Sequence, residues 1–248
     1  TLARVQGFHL WPIAPITFDG YETVLSYRNI VVGYANTLFY VAAGVGLNLV
    51  LTTVAAYVLS QKRFLPGNTI MLFMAFTMLF NGGMIPNYLL IVKMGLIDSR
   101  MAIVLLSAFN VFNLVIMRSS FKEIPDALEE SARLDGANDM QILWHIIIPV
   151  SKATIAVITL FVAVALWNSW FTASIYLTDR SKWPLQLFLR EILINNSQRS
   201  LDAGVKASAL AQQTLVKYCI IIVATVPILC IYPFLQKLVS QPQETIPY

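Results

Sequence analysis

The side chains able to do directional chemistry sit mostly in one stretch, Glu123 to Lys152, which reads EIPDALEESARLDGANDMQILWHIIIPVSK between two apolar runs. Asp126, Glu129, Glu130, Asp135 and Asp139 share it with Arg133 and His145. Such a mixture suits a surface that another molecule grips. It does not suit a metal centre or a catalytic pair: the histidines, His9 and His145, lie far apart, and neither belongs to a His-Glu-x-x-His pattern. Cys219 and Cys230 fall in the last apolar run and read as small packing residues. No Gly-x-x-x-x-Gly-Lys-Ser/Thr loop is present, so energy from a nucleotide would have to come from another chain.

A second set of polar groups lies inside apolar runs: Asn110 and Asn113, then Trp167, Asn168 and Trp170. Polar side chains at membrane depth face protein or a water-filled cavity. Amides can hydrogen-bond sugar hydroxyls and indoles can stack on sugar faces, so these five are candidates for a substrate pathway. The competing reading is that the amides bridge helices and the indoles mark the membrane interface. Lys206 and Lys217 could meet an acidic sugar or simply snorkel toward water.

The elements that must position these groups are membrane helices. Apolar residues make up 57% of the 248 positions and charged residues 12%, whereas a soluble domain carries roughly 25% charged residues. No Asp, Glu, Lys or Arg occurs from Asn29 to Gln61, Phe64 to Val92, Met101 to Met117, Ala153 to Thr178 or Tyr218 to Gln236. A span needs about 20 predominantly apolar residues. The expectation is an all-α polytopic bundle with spans near 33–60, 68–92, 101–117, 153–175 and 206–236. In the second run, Pro66, Gly67, Gly82, Gly83 and Pro86 are expected to mark its ends, continuity to Val92 requiring a kink. An odd number of spans and a first residue other than Met lead to the expectation of a further span upstream. The net charge of +4 is spread thinly, which disfavours nucleic acid as a partner.

Local rules resolve the polar stretch into two helices. Pro125 suits a first helical position, and Asp126, Glu129 and Glu130 favour the positive end of the helix dipole. Gly136 stands where a left-handed stop is expected. Asn138 or Asp139 can cap a second helix, whose stripe is Ile142, Leu143, Ile146 and Ile147 and which Pro149 closes. These rules are satisfied equally by a passive hairpin lying on the membrane and by a working joint. Beyond the fourth run, Leu185, Phe188, Leu189, Ile192 and Leu193 form one apolar helical face expected to lie on a surface.

Glu130-Ser131-Ala132, then Gly136, then Ile146-x-Ile148-Pro149 resembles the cytosolic "EAA" loop of permease subunits in bacterial ABC importers. Ser131 and Ile148 stand where the family usually has Ala and Leu. Asn81-Gly82-Gly83-Met84-Ile85-Pro86, Trp167-Asn168-Ser169 and Pro184-Leu185-Gln186-Leu187 are similar to the carbohydrate-uptake branch. The resemblance implies a type I importer permease organised as an extracytoplasmic segment 1–32, a transmembrane domain 33–237 with a cytosolic loop 118–152 and a periplasmic segment 176–205, and a tail 238–248. It implies coupling through Glu129, Glu130, Ser131, Ala132, Asp135, Gly136, Ala137, Asn138, Asp139 and Ile142, with no enzymatic role for this chain. The implied partners are a second permease subunit forming a heterodimer, two ATPase subunits holding ATP and Mg, a periplasmic sugar-binding protein, an oligosaccharide and the lipid bilayer. This chain itself would bind no cofactor, and an acidic oligosaccharide such as one from alginate is among the expected cargoes.

Overall fold

A computed structural model describes residues 21, 28–80, 82–199, 218–227 and 229. Its elements are α1 (Arg28–Ser60), α2 (Gly67–Thr77), α3 (Met84–Lys93), α4 (Arg100–Leu106), α5 (Val111–Lys122), α6 (Asp126–Leu134), α7 (Asp139–Val150), α8 (Lys152–Trp167), α9 (Trp170–Tyr176), a 3-10 turn (Arg180–Lys182), α10 (Leu185–Arg199) and α11 (Tyr218–Pro227). No strand occurs among the described residues, so the all-α expectation holds.

The long helix α1 is the mast of the fold, packing most extensively on α8 and α5 and then on α10. Tyr40, Ile103, Leu114, Met117, Ile158 and Leu166 meet in the main core. Small residues on α1 set the spacing: a Cβ on Gly33 would lie 3.0 Å from the Leu185 Cα, and one on Gly44 would lie 2.5 Å from Leu166 Cδ1. Buried amides then fix register, because Asn48 Nδ2 donates to the Ser107 carbonyl (2.9 Å) and the Leu185 N–H donates to Thr37 Oγ1 (2.9 Å).

Helix continuity departs from the expected spans. Among the described residues only α1 is by itself long and apolar enough to cross a bilayer; α4 with α5, bent by 48°, and α7 with α8, bent by 82°, qualify only as broken pairs. The run 68–92 is two helices, because Gly83 at φ +87° breaks the chain in its middle and Pro86 falls in the first turn of α3. The run 153–175 is likewise interrupted at Asn168–Ser169. Of 206–236 only α11 and Leu229 are described, so Lys206, Lys217 and Cys230 lie outside the described residues, as do His9, Asn81, most of 1–32 and the tail 238–248.

The α10 face is also placed differently. Leu185, Phe188 and Leu189 are buried, with Leu185 and Leu189 packed beside Ile30 and Trp167. Gly33 admits α10 against α1, so this apolar stripe faces protein rather than lying on a surface.

At the end of the bundle away from α6 and α7, Asp98 acts as a staple. Its Oδ1 accepts from the N–H groups of Thr178 (3.0 Å) and Asp179 (2.9 Å), and Lys182 Nζ donates to Oδ2 (2.8 Å). The Lys182 ammonium, followed by these N–H donors, holds the Asp98 carboxyl below its ordinary range. Asn36 reaches the same corner, donating to the Ser181 carbonyl at 2.7 Å and accepting from Arg100 at 3.0 Å.

Candidate functional site

The polar stretch folds as a rigid elbow. Helix α6 begins one residue after Pro125, which occupies the extended capping position rather than the first helical one. It ends in a complete Schellman arrangement: Ala137 N–H donates to the Ala132 carbonyl (2.9 Å) and Gly136 N–H to the Arg133 carbonyl (3.0 Å), with Gly136 at φ +84°. Asn138, rather than Asp139, caps α7. Its Oδ1 accepts from Gln141 N–H (2.9 Å) while Gln141 Oε1 accepts from Asn138 N–H (2.8 Å), a reciprocal capping box.

Pro149 does not close α7 but lies in its last turn, and the chain turns at Ser151. A π-type turn over Leu143–Ile147, in which Ile148 N–H donates to the Leu143 carbonyl, immediately precedes that turn. Such a widened turn accommodates a ring that would crowd the carbonyl of a regular preceding turn.

The elbow is seated in the main core. Ile142, Leu143 and Ile147 are buried in the same cluster as Met117 and Phe121 of α5. This is not a hairpin resting on a surface.

Charges then tie the elbow to the loop after α1. Asp139 pairs with Arg63 and, at 2.8 Å, with Arg133, while Lys62 pairs with Asp126. Gln61 Nε2 donates to Glu129 at 3.0 Å, and Glu129 stands 3.7 Å from Arg133. The Arg63 guanidinium, with Arg133 adding to it, holds the Asp139 carboxyl below its usual range.

The outward side of the elbow is different in character. Leu134 (89% exposed) on α6 and Met140 (58%) and Trp144 (61%), one turn apart on α7, are large apolar side chains in the open. Glu130, Ser131 and Asp135 are exposed beside them, Ala132 and Ala137 half-buried. Glu130 forms no ion pair with the described residues.

The five pathway candidates separate. Asn110 and Asn113 line a cavity of about 480 Å³ together with Asn48, Ser107, Ser169 and Thr172. Asn110 also caps α5 by accepting from the Phe112 N–H at 2.8 Å. Asn168 and Trp170 border a second cavity of about 460 Å³ with Gln186, Arg190 and Thr225. There the Arg190 guanidinium carbon lies 3.7 Å from the Trp170 ring centre, a cation–π stack. Trp167 belongs to neither, being 3% exposed, edge-on to Tyr34 and donating through Nε1 to the Ala224 carbonyl at 3.3 Å. Its indole is a core group, since burial with a satisfied N–H leaves no face for a ligand.

Sequence reading missed Arg63, Arg133, Gln61 and Lys62 as tethers, and Asn48, Ser107 and Arg190 as cavity residues. For Asn48 a signal existed, because an amide in the middle of a charge-free run calls for a partner. For Arg133 the i,i+4 spacing from Glu129 was also a signal, but for Gln61, Lys62 and Arg63 none existed, as Arg63 and Asp139 are 76 positions apart in the chain.

Residues 49–245 match the family described as binding-protein-dependent transport system inner membrane component. The chain is similar to the polygalacturonan/rhamnogalacturonan transport system permease protein YtcP of Bacillus subtilis, at 41% identity over 91% of this chain and 80% of that protein. Protein LplC of the same organism is 37% identical over 94% of this chain and 78% of its own length. Among solved structures, a bacterial ABC transporter involved in the import of the acidic polysaccharide alginate superposes with a TM-score of 0.82 and 36% identity, covering 95% of this chain and 84% of that one.

Proposed function

This chain belongs to the family of binding-protein-dependent transport system inner membrane components, and from that premise we propose that it is the multi-pass permease subunit forming half of the pathway of an ATP-driven oligosaccharide importer. The observation that carries the coupling role is the elbow: a doubly capped, core-seated joint whose outward side leaves Leu134, Met140 and Trp144 uncovered. An exposed apolar patch on a rigid support is what a docking partner requires. In this reading the partner is a cytosolic ATPase subunit. A second permease subunit and a periplasmic binding protein complete the importer, and ATP hydrolysis with its Mg resides on the ATPase chains.

The physical demand is large. Moving a two-state pore from 1:99 to 99:1 needs about 5.5 kcal/mol of differential binding. A joint that frayed would dissipate that difference, and here a Schellman closure at Gly136 and a capping box after it hold both helix ends.

The test is co-purification of the ATPase with the complete membrane complex, followed by uptake in proteoliposomes. Glu130→Lys and Leu134→Asp are each expected to lower ATPase recovery about tenfold, corresponding to about 1.4 kcal/mol at the contact. Unchanged recovery and transport in both variants would return the elbow to a passive role.

The second cavity supports a finer reading of the cargo. Polygalacturonan and alginate are polymers of uronic acids, each unit presenting a carboxylate and a flat apolar sugar face. Arg190, held in place by its stack on Trp170, offers the cationic complement to the carboxylate, and Asn168 and Gln186 border the same space for sugar hydroxyls. Arginine binds carboxylates with paired, charge-assisted donors. We therefore propose an acidic oligosaccharide as cargo. Arg190→Gln is expected to cut uptake of a trigalacturonate about tenfold at subsaturating concentration while leaving its carboxyl-reduced counterpart unaffected. Equal effects on both sugars would defeat this assignment without touching the importer reading.

A further inference from the structure

A third concavity, of about 350 Å³, opens where α1 and α5 end and α2 starts, beside the elbow. Two cations in it lack an anion among the described residues. Arg118 Nε donates to the Leu59 carbonyl at 2.8 Å, its terminal nitrogen donates to Asn68 Oδ1, and Lys122 Nζ donates to that same oxygen at 3.4 Å. Neither Arg118 nor Lys122 has a carboxylate of the described residues within ion-pair distance. The nearby acids are engaged, Asp126 by Lys62 and Glu129 by Gln61. Like charges four residues apart on a helix repel, and one neutral amide oxygen cannot neutralise two of them. An anion with several oxygens can.

The neighbouring surface says what else that anion carries. Helix α2 starts at this concavity and presents Leu72 (71% exposed), Phe73 (68%) and Phe76 (56%), with Leu65 (89%) just before it. Its 11 residues extend about 16 Å at 1.5 Å per residue, which is about half of a 30 Å hydrocarbon core. The apolar wall thus has the length of one lipid leaflet and begins at the charged end. We propose that this concavity holds the phosphate of an anionic phospholipid, its oxygens on Arg118 and Lys122 and an acyl chain along α2.

The inference rests on the reading of the chain as a membrane permease, but not on its cargo. It is tested on the complete complex in nanodiscs containing a photoactivatable phosphatidylglycerol or the equivalent phosphatidylcholine, with labelled peptides mapped by mass spectrometry. Phosphatidylglycerol is expected to label residues 65–76 preferentially. At about 1 kcal/mol per basic residue, labelling should fall about fivefold in Lys122→Gln and about 30-fold in Arg118→Gln/Lys122→Gln. Lys122 is exposed, so the single variant reads the charge without disturbing packing. Equal labelling by phosphatidylcholine, insensitivity to both variants, or competition by millimolar inorganic phosphate, which would mark a site for the free ion, would each overturn the proposal. Uptake is measured on the same discs' parent complex in proteoliposomes, so a failure of the importer reading registers separately from a failure of lipid labelling.

Discussion

Gly136→Val is expected to abolish uptake while the protein still inserts and assembles its membrane core. The residue holds φ +84°, and the space around it is open, so a new Cβ meets nothing within 4 Å. The penalty is therefore conformational alone. A β-branched residue forced into the left-handed region costs on the order of 1–3 kcal/mol, and the alternative is for the elbow to unwind. Unwinding releases the Schellman bonds of α6 and shifts the origin of α7. Transport that depends on about 5.5 kcal/mol of transmitted difference cannot survive that. A graded series separates backbone from contact effects. Asparagine tolerates the left-handed region, so Gly136→Asn should retain most sugar-stimulated ATPase activity in proteoliposomes, with Gly136→Ala between it and valine. Normal stimulation in Gly136→Val would sink the argument, and equal loss in Asn and Val would place the cause in a partner contact instead.

Reversing the charge of Asp139 should have the next largest effect. This carboxylate is the point at which three pieces of chain meet: Arg63 from the loop after α1, Arg133 from α6, and the first turn of α7 itself. Half-exposed pairs are individually weak, about 0.2–1 kcal/mol each. Asp139→Asn should accordingly reduce stimulated ATPase activity only about threefold, a cost of roughly 0.65 kcal/mol. Asp139→Lys adds repulsion with two guanidinium groups and an unfavourable charge at the positive end of α7, so a loss of at least about tenfold is expected. Combining it with Arg63→Glu should recover part of that loss, because Arg63 is exposed and the swapped pair can reform. No recovery, or wild-type coupling in Asp139→Lys, would show that the tether is dispensable. The pH dependence has a defined sign. A carboxyl whose folded pKa is depressed contributes fully above the ordinary carboxylate range and loses that contribution as pH falls through its lowered value. Coupling should thus be flat with respect to this group above about pH 5 and should weaken only in stronger acid.

How much of this was legible in the chain depended on distance along it. Gly136 as a stop and a side-chain cap at Asn138 or Asp139 follow from chemistry within four residues, and the structure has the stop and places the cap on Asn138, adding a reciprocal bond with Gln141 that was not anticipated. The charged-residue pattern identified which segments are apolar but not where their helices break. In the second run the break falls at Gly83, among the residue types expected to end or kink it, whereas nothing in the fourth run pointed to the break at Asn168–Ser169. Rotation about a helix axis was the other blind spot. Trp167 and Trp170 look equivalent in sequence, yet the kink at Asn168–Ser169 sends one indole into the core and leaves the other under Arg190. The same holds for α10, whose stripe was readable while its partner, α1, was not, because the permissive feature is a missing side chain at Gly33.

The widened turn in α7 sets the rotational phase of everything after it. In regular winding, at about 100° per residue, Ile142 and Ile147 would point about 140° apart, yet both are essentially buried. The surplus residue held between Leu143 and Ile147 is what brings them onto one side. Rewinding that turn as ordinary helix without removing a residue would swing Pro149 and the start of α8 by about 100° relative to Gly136, whereas deleting the surplus residue would leave that phase nearly unchanged. The elbow and the membrane helix that follows it are therefore geared together through a single stored residue, and a shift in that gearing would both misalign them and pull Ile147 from the core that seats the elbow.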